Sequence, residues 1–329
     1  MKKILSLILS LVLILFTLSG CKKQGDLKVI ELNEVTHSVF YAPLYLAIEE
    51  GYFEEEGLKI NLTNGGGADK SMTAVLSGDA HIGLMGPETV IYVYNQGKVD
   101  HPIVFGQLTQ KDGAFLVSRK PEPNFQWSDL KDKEILAGRK GGVPAMTFEY
   151  ILNEKNMFNG KDFTLNFDVQ FNLMTSAFLS NTADYCTVFE PTASEYQALG
   201  KWHIVASVGE AGGEIPYTSF IALKSFVKNN KSTLESFMKA LKKAHEFIAT
   251  KTEKEVAEAI VKQFPSTTIT SIETSIKSYK SIDAWKTDLQ GTEESYNRLQ
   301  DIMSNANELS SRVAFEKIVD NSIAKAVFG

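Results

Sequence analysis

The sequence predicts an α/β protein in which two blocks of mainly parallel sheet are flanked by helices. Short strand-like and helix-like segments alternate in two successive blocks, and this pattern favours parallel strands joined by crossover helices. From residue 231 onward the apolar residues recur at spacings of three and four, which predicts a helical tail. The first such stripe comprises Leu234, Phe237, Met238 and Leu241, and we expect it to be buried against the body.

The individual elements follow from apolar runs for strands and from Gly or Pro at the helix boundaries. Helices are predicted to begin near Pro43 and Pro87 in the first block, and Gly142 with Pro144 introduces one in the second. The predicted strands are LKVIELNEV, LKINL, HIGLM and PIVFGQL, then FLVSRK, EILAG, FTLNFDV, YCTVF and HIVASV, and finally SFIALKSF.

The two blocks are joined by two crossing segments. We assign residues 27–117 and 215–329 to one lobe and residues 118–214 to the other. Residues 209–217 are Gly-rich and are predicted as a loop. Two lobes with two crossings are typical of a receptor that closes by a hinge, so a ligand is expected between the lobes.

Residues 1–20 have the pattern of a targeting segment. Two lysines precede an apolar run that is short for a membrane-spanning helix, and LSGC places small residues before Cys21, as in a bacterial lipobox. We predict a lipoprotein signal peptide, acyl chains on Cys21, and a tether over residues 21–26 that holds the body at the outer face of the cell membrane, toward the periplasm or the exterior. The alternative is an ordinary signal peptide followed by an unmodified cysteine.

The composition argues against several classes of function. The chain has 40 acidic and 34 basic side chains, and this acidic balance disfavours a nucleic-acid partner. Cys186 is predicted as a buried strand residue, with a reactive thiol as the alternative. The five histidines are too scattered to suggest metal ligands, and no Ser-His-Asp order or nucleophile elbow is present. We therefore predict no metal, no cofactor and no hydrolytic activity.

Polar, aromatic and glycine residues follow the predicted parallel strands, where ligands of open parallel sheets bind. The first loop contains His37, Phe40 and Tyr41, which supply hydrogen-bonding groups and flat faces. The alternative is that Phe40 and Tyr41 belong to the hydrophobic core at the start of the helix. The second loop, residues 63–71, is a triple-glycine turn without P-loop spacing. It either lines a ligand or is a flexible turn capped by Asp69.

Three further loops carry similar groups. Glu88 follows the third strand, where it either stabilises the positive end of a helix dipole or faces a ligand. In the second block Arg139 and Lys140 precede a glycine pair at a predicted helix start, and Glu190 follows the strand YCTVF.

Three stretches resemble a known family. HSVFYAPLYLAIEEGYFEEEGLKINL, TAVLSGDAHIGLMGPE and TVFEPTASEYQALG, together with the lipobox, resemble the substrate-binding lipoproteins of ABC importers that bind sulfonates, nitrate, taurine or thiamine pyrimidines. The resemblance implies a type II periplasmic-binding-protein fold, a cleft that closes over one small-molecule nutrient, and delivery to an ABC permease and ATPase complex without chemistry. We expect a monomer.

The resemblance also implies which residues bind the ligand. The candidate cleft residues are His37, Phe40, Tyr41, Asn64, Gly65, Gly86, Glu88, Gly142 and Glu190.

The ligand class stays open between two chemistries. Arg139 and Lys140 near a helix start would suit a sulfonate, taurine or nitrate-type anion. Glu88 and Glu190 would repel such an anion if both face the cleft. Aromatic faces with carboxylates and His37 are better suited to a flat, nitrogen-rich heterocycle, such as a thiamine-pyrimidine precursor, which is our first expectation.

Two other classes of function remain. Fungal thiamine-pyrimidine synthases are similar in fold, but their cysteine-rich motif has no counterpart, because Cys186 is the only cysteine after Cys21. A sensory lipoprotein that presents a ligand to a receptor is the other alternative. A permease and an ATPase encoded beside this gene would favour transport.

Overall fold

The computed structural model of the chain describes residues 26–180 and 183–329. Over these residues the chain forms two five-stranded mixed sheets flanked by helices, so the predicted α/β class is confirmed. The predicted segment 1–20, Cys21 and nearly all of the tether lie outside the described residues. Within the described part of the chain no helix is long and apolar enough to cross a membrane.

The first sheet has four strands that point in one direction and one that runs against them. Its strands are β1 Lys28–Glu34, β2 Leu58–Asn64, β3 Ile82–Met85, β4 Pro102–Thr109 and β10 Thr218–Leu223. The order is β2-β1-β3-β10-β4, with β10 antiparallel to both neighbours. The helices between these strands are α1 Ala42–Glu49, α2 Tyr52–Glu55, α3 Ala68–Ser77 and α4 Glu88–Asn95.

The second sheet repeats this arrangement. Its strands are β5 Ala114–Ser118, β6 Glu134–Leu136, β7 Thr164–Asn166, β8 Tyr185–Phe189 and β9 His203–Ser207. The order is β7-β6-β8-β5-β9, and β5 is the antiparallel strand. The associated helices are α5 Val143–Glu154, α6 Met174–Ser180, α7 Thr192–Ala198 and α8 Val208–Gly212. Each antiparallel strand directly follows a crossing between the sheets.

One predicted boundary is corrected by the strand pairing. The sequence analysis assigned residues 114–117 to the first lobe, but β5 forms its ladders with β8 and β9 in the second sheet. The chain therefore passes from the first sheet to the second after Thr109, the last residue of β4. The predicted loop 209–217 is also partly helical, because Ser207 caps α8 by accepting a hydrogen bond from the Glu210 N–H.

The tail is helical, as the sequence predicts. Its helices are α9 Lys224–Asn229, α10 Lys231–Thr250, α11 Glu253–Ile260, α12 Ile269–Ser281, α13 Glu293–Asn305, α14 Phe315–Ile318 and α15 Ser322–Phe328. Thr252, Thr268 and Thr292 cap α11, α12 and α13 through their side chains. The predicted stripe of α10 is fully buried. Helices α14 and α15 are separated by a short extended segment, in which the Asp320 N–H donates to the Val104 carbonyl of β4.

Candidate functional site

A cavity of about 60 Å³ lies between the two sheets, and we call it the first cavity. A water molecule needs about 10–15 Å³ on this measure, so the space is open rather than packed solid. The first sheet and its loops contribute Thr36, Tyr41, Gly67, Ala68, Gly86 and Glu88. The second contributes Arg139, Gly142, Val143, Pro144, Phe171 and Phe189. Most of these residues follow parallel strands, so the cavity walls lie at the carboxyl ends of the parallel strands in both sheets.

Glu88 is the acidic group of the first cavity. Glu88 is the first residue of α4 and is 2 % exposed, and among the residues that the structure describes its Oε2 atom has no hydrogen-bond partner. Burial raises the pKa of Glu88 to about 7, although the Arg139 guanidinium and the backbone N–H groups of Glu88, Val143 and Thr89 act in the opposite direction. A buried oxygen without a partner costs free energy unless a ligand donates to it. Stabilisation of the helix dipole therefore does not explain why the Oε2 atom of Glu88 is left without a partner.

Tyr217 adds a second buried polar group to the same wall. It lies in the returning crossing segment, and its buried hydroxyl has no hydrogen bond of regular geometry. Asp112, in the outgoing crossing segment, lies close enough to the Tyr217 hydroxyl for the two side chains to interact, and its Oδ1 accepts from the Ala114 N–H. Burial raises the pKa of Asp112 to about 7. The two crossing segments thus place the Tyr217 hydroxyl in the cavity wall and the Asp112 carboxyl next to it.

The start of α5 forms the opposite wall. Gly142 is the N-cap residue of this helix, and Pro144 occupies its first turn. The first N–H groups of a helix are free to bind acceptors, and the dipole favours negative charge there. Arg139 lies in the same loop and lines the cavity. This wall can therefore hold an acceptor or an anionic group.

Three contacts tie this loop to elements of the first sheet and the tail. Arg139 Nη2 lies 3.5 Å from Asp69 Oδ1 at the start of α3. The Tyr92 hydroxyl of α4 donates to the Gly141 carbonyl at 2.9 Å, and Lys140 forms an ion pair with a glutamate of the tail. Because both ion pairs are partly exposed, each contributes little alone.

A second cavity of about 220 Å³ adjoins the first, and it contains two of the predicted residues, His37 and Glu190. His37 Nδ1 lies 2.7 Å from Glu34 Oε1, and Nε2 lies 2.8 Å from the Gln263 carbonyl oxygen. Both neighbours present acceptor oxygens, and this arrangement favours the protonated form of the ring. Burial lowers the pKa of His37, but the Glu34 carboxylate and the Gln263 carbonyl together outweigh this effect, and the net change is upward.

The Glu190 carboxylate is bonded within the protein. It accepts from the Ser194 N–H and hydroxyl in α7 and from the Ser278 hydroxyl of α12. The Glu190 carbonyl accepts from the Ser38 hydroxyl, which joins the loops of the two sheets. Burial raises the pKa of Glu190. Its observed bonds are those of a residue that holds the two halves together.

Phe40, Asn64 and Gly65 line neither cavity, contrary to their predicted position in the cleft. Phe40 is 1 % exposed and packs among four aromatic rings. Asn64 is exposed and caps its own turn through the Gly66 N–H. Strand β2 continues through Asn64, so the turn reaches the cavity only at Gly67 and Ala68.

Tyr41, Gly86, Glu88 and Gly142 do line the first cavity. Sequence reasoning missed Tyr217, Thr218 and Phe171. Tyr217 and Thr218 lie at the start of β10. Because β10 is antiparallel to β3 and β4, its start lies beside the carboxyl ends of those two strands. Cys186 is fully buried, as predicted, and burial raises the pKa of its thiol.

Comparisons with known proteins agree with this architecture. A family model described as NMT1/THI5 like matches residues 39–255, which is more than half of the chain. The chain belongs to the NMT1/THI5-like family. This NMT1/THI5-like chain is 42 % identical over 316 residues to YtlA of Bacillus subtilis (strain 168), covering 96 % of this chain and 95 % of that protein.

Solved structures show the same fold for this NMT1/THI5-like chain. The alkanesulfonate-binding protein SsuA from Xanthomonas axonopodis pv. citri, bound to MOPS, matches with a TM-score of 0.72 and 15 % identity, over 90 % of this chain and 99 % of SsuA. The periplasmic nitrate-binding protein NrtA from Synechocystis PCC 6803 matches with a TM-score of 0.73 and 13 % identity, over 92 % of this chain and 88 % of NrtA. The predicted periplasmic-binding-protein fold is confirmed.

Proposed function

We propose that this protein is the solute-binding component of an ABC importer and that it holds one small nutrient in the first cavity. The observation that carries the proposal is an open cavity between the two sheets with the unpartnered Glu88 Oε2 in its wall. Family membership and the fold shared with the sulfonate and nitrate binders support it. Delivery to a permease and ATPase complex, and a monomeric state, belong to the same proposal.

The ligand in this proposal is a flat heterocycle that carries N–H donors, such as a thiamine-pyrimidine precursor. Tyr41, Phe171, Phe189 and Tyr217 supply aromatic surface around the cavity, and aromatic contacts contribute about 0.5–1.5 kcal/mol each beyond area burial. Glu88 supplies an acceptor for a ligand N–H.

One observation favours a second ligand class, the sulfonate, taurine or nitrate-type anions. Arg139 and the start of α5 face the cavity from one side, and a helix start is a ready site for an anion. Such a ligand requires Glu88 to be protonated, and a pKa of about 7 makes this form accessible near neutral pH.

The proposed role involves no chemistry on the ligand. A synthase that uses cysteine has little support, because Cys186 is the only cysteine after Cys21, and it is fully buried in β8. A sensory role would use the same cavity, and it would be distinguished by a gene without a neighbouring permease.

The anchor and the lobes are further parts of the proposal. Acylated Cys21 would hold the body at the outer face of the membrane, with residues 1–20 removed. The two sheets would act as lobes that move about the crossings after Thr109 and before Thr218. The hydrogen bond from the Ile215 N–H to the Gln110 carbonyl, which pairs the crossings side by side, supports a shared hinge.

A panel of compounds tests the function and the ligand ranking together. Protein lacking residues 1–21 is heated with pyrimidines, flavins, sulfonates, taurine or nitrate. A true ligand at one hundred times its Kd adds about 2.7 kcal/mol to the free energy of unfolding, so Tm should rise by several degrees and saturate. A rise with sulfonates but with no heterocycle would reverse the ranking, and no rise with any compound would oppose the proposed function.

A further inference from the structure

The second cavity adjoins the first. Thr36, Phe171 and Phe189 line both, so a molecule that extends from one space into the other would pass these three side chains. The first cavity is the smaller, at about 60 Å³ against about 220 Å³. A heterocycle that fills the first cavity would therefore leave the larger space empty.

The second cavity is lined by polar side chains, and those that remain free to bind a ligand are uncharged. Hydroxyl and amide side chains come from both halves, and they are Thr36, Asn172, Thr175, Thr187 and Thr192. These groups both donate and accept hydrogen bonds. A partner for them would be a neutral group with several hydroxyls or amides.

The charged residues of this cavity are already neutralised. Both His37 ring nitrogens are used, one of them by the buried Glu34 carboxylate. The Glu190 oxygens accept from Ser194 and Ser278. None of the residues that line the second cavity is Lys or Arg. An anionic group placed here would lose its hydration without gaining a counter-ion.

We propose that the natural ligand has two parts, a flat ring with N–H donors in the first cavity and a neutral polyhydroxylated extension in the second. This inference rests on the proposed function and defines its substrate class. The ring supplies the contact with Glu88, and the extension supplies hydrogen bonds to the Thr and Asn side chains.

Matched pairs of compounds test the inference with the purified protein. Cytosine, uracil, adenine and guanine are each compared by titration calorimetry with their ribonucleosides and 5′-monophosphates. For at least one ring the nucleoside should bind at least tenfold more tightly than the free base. Its monophosphate should bind more weakly than the nucleoside.

A pair of variants locates the extension. Thr175→Phe fills the second cavity and should remove the tenfold advantage of the nucleoside without weakening the free base. Ser176→Phe adds the same ring at the exposed neighbouring position of α6, outside both cavities, and should leave the advantage intact.

Three outcomes would overturn the inference. They are equal affinity for base and nucleoside in every pair, no binding of any pair, or an advantage that survives Thr175→Phe. If a base or a sulfonate still binds, the proposed transport function stands while the two-part ligand fails.

Discussion

Glu88→Gln should weaken binding of a heterocyclic ligand by about 30-fold or more and leave the fold intact. The substitution replaces the unpartnered carboxylate oxygen by a neutral amide, so the ligand N–H loses a charged acceptor. Truncating one partner of a buried, charged hydrogen bond costs about 2–5 kcal/mol. The ligand-free variant should be at least as stable as the parent, because burial disfavours the charged form of Glu88.

Titration calorimetry and thermal unfolding check the two halves of this prediction. Glu258→Gln is the matched control, because this residue of α11 is exposed and forms a weak ion pair with Lys254 at 3.9 Å. The control should change neither affinity nor Tm. Unchanged affinity in Glu88→Gln would remove Glu88 from the ligand site.

The same carboxyl group should make binding depend on pH. The pKa of Glu88 is about 7 in the ligand-free protein, and a bound N–H donor lowers it by stabilising the charged form. Affinity should therefore rise toward pH 7, level off above it, and fall by up to tenfold per pH unit below. Glu88→Gln retains Asp112, Arg139 and His37, so loss of most of this dependence in the variant would assign it to Glu88. An unchanged profile would contradict that assignment.

Phe40→Ala should lower the free energy of unfolding by about 3–5 kcal/mol, as expected when a large buried ring is removed. The ring centroids of Tyr279, Tyr41 and Tyr217 lie 4.9, 5.7 and 5.8 Å from that of Phe40. The Phe40 carbonyl accepts from the Trp285 indole N–H at 2.9 Å. Truncation leaves a void that these rigid neighbours cannot fill.

Urea unfolding measures the loss, and Phe158→Ala is the control. Phe158 is 43 % exposed, so the same chemical change there should alter stability by less than about 0.5 kcal/mol. A loss below 1 kcal/mol in Phe40→Ala would show that the ring is not part of the core.

The fold and part of the site could be predicted because strand direction fixes where loops meet. Tyr41, Glu88 and Gly142 follow parallel strands in the sequence, and parallel strands end at one edge of a sheet. Phe40 and Tyr41 are adjacent, yet one faces the core and the other the cavity. Their directions depend on the 3₁₀ turn Val39–Tyr41, which the sequence pattern does not indicate.

The omission of Tyr217 from the predicted site has a similar physical cause. Tyr217 lies in a crossing segment before an antiparallel strand, so a rule based on carboxyl ends does not select it. Asp112 lies in the partner crossing, and only the pairing of the two crossings brings it beside Tyr217. Such contacts depend on the positions of two distant segments, which one sequence does not specify.

The central claim is that one small molecule binds between the sheets against Glu88. A Cβ atom at Gly86 would lie 2.1 Å from Glu88 Oε2, so Gly86→Ala must displace the carboxyl group. Titration calorimetry with the best compound of the panel should give one site per chain in the parent protein. It should give at least tenfold weaker binding in a folded Gly86→Ala variant. Equal affinity and stoichiometry in both proteins would contradict the claim.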